Sequence, residues 1–163
     1  MKGSQWVLLC LVLVMPAVAA DNQYSIEDQA MGAVPDAVAK AVQASKGFKD
    51  MLAAQVECKL QGEPVTLRAD RPKSGYLLTT MHACGWAASS GPYWLVAVDE
   101  QGARVVLDTG GYAITVLDTQ THGYHDLRAV EGDASGGAAA VLKFDGKQYV
   151  ETKVSRVRME SSD

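Results

Sequence analysis

Val141-Leu-Lys-Phe-Asp145-Gly146-Lys-Gln-Tyr-Val150 decides the reading of the fold. Two short alternating runs flank Asp145-Gly146. Asp-Gly is a preferred pair for a two-residue hairpin turn, because both turn positions take positive φ. The stretch therefore predicts antiparallel β structure, with strands over residues 139–144 and 148–155.

Working outward, the same texture fills the chain back to residue 56. Short runs rich in Val, Thr, Tyr and Leu are separated by Gly, Pro, Asp and Ser clusters. Further strands are expected over residues 64–69, 76–82, 93–98, 104–107, 112–117 and 124–130. Asp99-Glu-Gln-Gly102 is a longer turn between two of them. Trp94-Leu-Val-Ala-Val98 is apolar on both faces, which places it centrally in a sheet. Ser135-Gly-Gly-Ala138 is expected to be a mobile loop. The fold class is mainly β: an antiparallel sandwich or incomplete barrel of about eight strands.

Before residue 56 the pattern is helical. Pro35 suits a first helical position, Asp36 favours the positive end of the helix dipole, and residues 37–44 are rich in helix formers. Val34, Val38, Ala41 and Val42 share one face, and Gly47 is a plausible stop. Residues 48–55 fit a second short helical segment. Residues 21–34 are polar and mixed and read as a flexible lead-in to a single β-rich domain over 35–163.

Residues 1–20 carry a different signal. Lys2 is followed by the apolar run Trp6–Met15, then Pro16 and Ala17-Val-Ala-Ala20. Charge, apolar core and small-residue exit in that order make a secretory signal peptide, cleaved after Ala19 or Ala20. The run is shorter than the ~20 residues of a membrane span. The expected location is periplasmic or secreted, with no membrane span. The whole chain carries formal charge −4, to which residues 1–20 contribute only Lys2, so the remainder carries −4 − 1 = −5. This argues against nucleic acid as a partner and permits a basic protein. Removal of Cys10 with the signal leaves Cys58 and Cys84. In an oxidising compartment the simplest outcome is one disulfide, the alternative being two free thiols. A bond closing a loop of about 27 residues contributes ~3.5 kcal/mol in the chain-entropy picture.

Candidate chemistry is sparse. Asp70…Gly75-Tyr76 and Asp118…Gly123-Tyr124 echo one another at an offset of 48 residues, read as two related hairpins. The second resembles a calcium loop with its ligand set degraded: Asp118 and Asp126 survive, while His122 is a poor ligand for a hard cation. A plain turn is favoured, and no metal or cofactor is expected. His122 and His125 on a turn-to-strand segment point apart. Ser74, Ser89 and Ser90 are candidate nucleophiles with His82, His122 or His125 as base, but none has the strand-elbow-helix context. No enzyme is expected. Gly85-Trp86-Ala-Ala-Ser89-Ser90-Gly-Pro-Tyr93-Trp94 joins small residues to three aromatics beside Cys84. Tyr and Trp on loops are typical binding anchors, so Trp86, Ser89, Ser90 and Tyr93 are the candidate binding residues; core packing is the competing role for the aromatics.

One ordered series of features resembles a known group. It runs Cys58, Ala69-Asp70, Cys84-Gly85, Pro92-Tyr-Trp-Leu95, Leu107-Asp108 with Gly110-Gly-Tyr112, Gly123-Tyr-His-Asp-Leu127 and Lys143-Phe-Asp-Gly-Lys147 with Tyr149. This is similar to exported bacterial proteins with calcium-type β-hairpin repeats and, distantly, to periplasmic I-type lysozyme inhibitors and immunity proteins. The resemblance spans about residues 56–151. It implies a non-enzymatic protein that inhibits a basic cell-wall hydrolase through hydroxyls inserted into the enzyme's cleft. The inhibitors use Ser-Gly-x-x-Tyr, whereas this chain has Ser90-Gly-Pro-Tyr93, one residue shorter. A structural or accessory envelope domain without a soluble target is the first alternative function and a hydrolase the second, and the oligomeric state is open.

Overall fold

The structure is a computed structural model that describes residues 22–28, 30–52, 58–81, 84–87, 90–133 and 136–157. The expected signal peptide, His82 and Ser89 lie outside the described residues. Among the described residues, nine antiparallel strands form two sheets. One has four strands in the order β2 (Leu60–Val65), β3 (Gly75–Thr80), β4 (Gly91–Asp99), β5 (Gly102–Gly111). The other has five, ordered β1 (Gln23–Ser25), β6 (Ala113–Thr121), β7 (Tyr124–Asp133), β8 (Gly136–Phe144), β9 (Tyr149–Val157). The sheets form a sandwich and do not close into a barrel.

Val65, Leu67, Leu77, Tyr93 and Leu95 meet Ile114, Leu127, Leu142 and Phe144 to form the inter-sheet core. A second core lies where helices α1 (Asp36–Ala44) and α2 (Lys46–Leu52) pack on the four-stranded sheet. Val38, Val42 and Phe48 bury there against Leu78, Trp94 and Val96. β4 is thus covered on both faces, as its unbroken apolar run requires.

Several local expectations need correction. Residues 22–28 and 30–34, expected as a flexible lead-in, are attached to the sandwich: β1 pairs with β6, Ile26 is buried, and Gly32 and Gly62 exchange two backbone hydrogen bonds of 2.9 Å. Three strand residues and one isolated bridge are too short to show a period. Gly136 to Ala138, read as loop, begin β8 and pair with β7 and β9. The strand expected at 64–69 is β2, at 60–65.

The turn chemistry is also redistributed. The β8–β9 connection has four residues, Asp145 to Gln148, and only Gly146 takes positive φ. The Asp145 carboxylate accepts from Lys147 N and Gln148 N, both at 2.8 Å, so a side-chain turn replaces the two-residue one. The tight two-residue turn is His122-Gly123, both at positive φ, between β6 and β7. The echoing segment after Asp70 has another geometry, with Lys73 at positive φ and Gly75 already in β3. The two hairpins therefore do not share a turn.

Candidate functional site

The disulfide Cys58–Cys84 is formed and ties the chain preceding β2 to the loop leading into β4. Trp86, next in that loop, is half-buried and packs against the inter-sheet core. Its Nε1 donates to Thr80 Oγ1 at 3.0 Å, and that hydroxyl donates to Cys84 O. The indole lies so close over Gly91 that a Cβ there would sit 2.7–2.8 Å from it. Ala87 and Ser90 exchange backbone hydrogen bonds of 2.8 and 3.0 Å. The loop is therefore a folded cap, with its tryptophan turned inward.

Tyr93 cannot act as a surface anchor. It is 1 % exposed within the inter-sheet core, and its hydroxyl has no hydrogen-bond partner among the described residues. Burial first, and the nearby Glu131 charge second, push its ionisation far up. Trp94 faces the other side of β4 and meets Phe48 edge-to-face at 5.7 Å. Of the four candidate binding residues, the loop brings Trp86 and Ser90 together at one end of the sandwich, while Tyr93 belongs to the core and Ser89 lies outside the described residues.

Beside this cap is a cleft of about 500 Å³. Ser90, Gly91 and Pro92 form one wall, Thr109, Gly110 and Gly111 the next, and Glu131 of β7 closes it. Gly91 and Gly111 are paired across β4 and β5, so the wall is largely bare backbone. Glu131 is the single ionisable side chain among the described lining residues. Sequence reasoning missed it, because only the crossover from β5 into β6 brings β7 to the ends of β4 and β5. A second cavity, about 520 Å³, lies between residues 31–34, α1 and β2 and has Met31, Val34, Leu60 and Met81 among its lining.

The other polar candidates have structural roles. Ser74 Oγ is buried and accepts from Leu67 N and Arg68 N at 3.0 and 2.9 Å. His122 sits exposed at the turn, and His125 Nδ1 lies 2.7 Å from Leu117 O. Asp118 is exposed, whereas Asp126 is 2 % exposed, so the pair does not form one ligand set. Asp126 accepts from Thr119 and Thr121 at 2.8 and 2.6 Å, and Lys143 lies 3.5 Å away. Burial alone would raise this carboxyl, but the two hydroxyls and Lys143 outweigh it and hold it below the usual range. Among the described residues no three His, Cys, Asp or Glu side chains gather as a metal site. No described helix is long and apolar enough to cross a membrane.

The arrangement offers a carboxylate, two hydroxyl side chains and open backbone in a fixed cleft, which suits binding of a cationic or amide-bearing group. Compared with protein-family models, with curated proteins and with solved structures, the chain finds no match.

Proposed function

We propose that this chain is an exported, non-enzymatic binding protein that takes a cationic group of a basic protein partner into the cleft beside Cys84. The partner class is a peptidoglycan hydrolase of lysozyme type. The observation that carries the reading is Glu131, the one ionisable side chain among the described residues that line a glycine-walled cleft in a chain of net negative charge. Glu131 is exposed at the edge of the cleft, so its carboxylate meets a basic side chain without first being uncovered, and a cleft bearing one sign of charge concentrates its field. The N-terminal signal pattern supports export to the periplasm or beyond, and a formed disulfide accords with an oxidising compartment. The resemblance to periplasmic inhibitors supplies the partner class.

The second reading is an accessory envelope domain without a soluble target. The burial of Tyr93 and Trp94 favours it, since it removes two aromatic anchors from the surface. The test is a lysis assay in which residues 21–163 are titrated into a panel of peptidoglycan hydrolases acting on cell-wall suspensions. Protection that saturates at one-to-one stoichiometry against a basic hydrolase is expected. Undiminished lysis across the panel would leave the accessory-domain reading in its place.

A further inference from the structure

β9 is the last strand of its sheet, and no strand among the described residues pairs with its far edge. Such an edge presents a row of backbone donors and acceptors to any matching strand. Glu151 to Arg156 are all exposed. Val154, at 56 %, is the more exposed of the two large apolar side chains that reach solvent among the described residues. It ends the cross-strand row Ile114, Ala129, Ala140, Val154, whose first two members are buried and whose third packs against the core. The apolar row thus runs out to the edge strand and stops there uncovered.

The sequence of β9 selects what fits that edge. A two-fold axis joining antiparallel edges stands normal to the sheet, so one residue must face itself. Centring on Lys153 would oppose two like charges, which is destabilising. Centring on Ser155 would set Val154 against Arg156. Centring on Val154 sets valine against valine, Lys153 against Ser155 and Thr152 against Arg156. Centring on Thr152 would set Val150 against Val154 and Glu151 against Lys153, but it puts the self-facing position on the residue where the ladder to β8 shifts register. Of the registers centred on the straight segment beyond Thr152, the Val154 one continues the apolar row from one sheet into the next without opposing like charges. Thr152, where the ladder to β8 shifts register, marks one end of the straight segment.

We propose that β9 pairs antiparallel with β9 of a second copy, centred on Val154, to join two five-stranded sheets into one of ten strands. The contact spans about five residues on each side, so the association is weak and concentration-dependent. It does not depend on the cleft or on its ligand.

The test uses single cysteines at exposed positions, with Cys58–Cys84 left intact: Val154→Cys, Lys153→Cys and Ser155→Cys in residues 21–163. Directly opposed residues of an antiparallel pair lie ~4.5–5.5 Å apart, within disulfide reach. In a glutathione redox buffer, the Val154→Cys chain is expected to form a covalent dimer roughly tenfold faster than either neighbour alone. A mixture of Lys153→Cys and Ser155→Cys is expected to cross-link as a heterodimer. Unchanged melting temperatures would establish that each variant folds. Equal rates at all three positions, faster closure at 155, or no dimer at 154 would each overturn the proposal.

Discussion

Glu63 sits in β2 with 5 % of its surface exposed, and its Oε1 has no hydrogen-bond partner among the described residues. Burial, with a smaller push from the Asp28 charge, raises its carboxyl to about 7. Tyr24 is raised as well, by burial and then by the charge of Glu63. The consequence for stability follows from linkage. A carboxyl raised in the folded state favours folding at low pH, and that contribution is lost as pH climbs from the ordinary carboxyl range through about 7. Wild type should therefore lose stability between pH 5 and 8, whereas Glu63→Gln should lose less and gain about 1–2 kcal/mol relative to wild type at pH 8. Thermal melts of both proteins across that range check this; parallel curves would refute it. Nothing local in the sequence marks Glu63 as buried. It lies in a short strand beside the N-terminal segment, and only the tertiary attachment of that segment to the sandwich encloses it. Tyr93 was misplaced for a related reason. Its aromatic, loop-flanking context is shared by binding anchors and core residues, and only the packing of the second sheet distinguishes them.

The cap over the cleft depends on one glycine. At Gly91 the indole of Trp86 occupies the space a methyl group would need. Gly91→Ala should displace Trp86 from Thr80, cost about 1–3 kcal/mol as an overpacked contact, and shift tryptophan fluorescence to the red. A variant with unchanged melting and emission would show that the indole moves aside freely. At this scale much was legible. The alternation in residues 139–155 gave the terminal hairpin, and Trp94 to Val98 gave a strand covered on both faces, because such patterns reflect burial directly. Turn geometry was less legible. Asp145-Gly146 is a preferred turn pair and His122-Gly123 is not, yet the registers of the flanking strands leave two residues between β6 and β7 and four between β8 and β9. The calcium-like spacing around Asp118 dissolved for the same reason: Asp118 lies within β6, while Asp126, across the turn in β7, is held by threonine hydroxyls.

Across the whole molecule, a sandwich was foreseeable from many short strands with apolar alternation, but the allotment of strands to sheets was not. A period of two says which side chains share a face; it does not say which strands share a sheet. The chain passes from one sheet to the other between Gly111 and Ala113, and Tyr112 N donates to Val130 O there at 2.9 Å. That crossing sets Glu131 beside the ends of β4 and β5 and so creates the cleft. The function proposed for the chain therefore depends on a feature of topology more than on a motif. Tyr93 and Glu131 separate the two readings of this region, since one is core and the other lines the recess. Tyr93→Phe deletes a buried hydroxyl that has no partner among the described residues, so it should fold with unchanged or slightly raised stability. The most direct measurement is protection of cell walls from a basic hydrolase by the Glu131→Lys and Tyr93→Phe variants, side by side with wild type. The account predicts that Glu131→Lys loses protection at least tenfold in effective concentration while Tyr93→Phe keeps it. Loss with Tyr93→Phe and full protection with Glu131→Lys would contradict it.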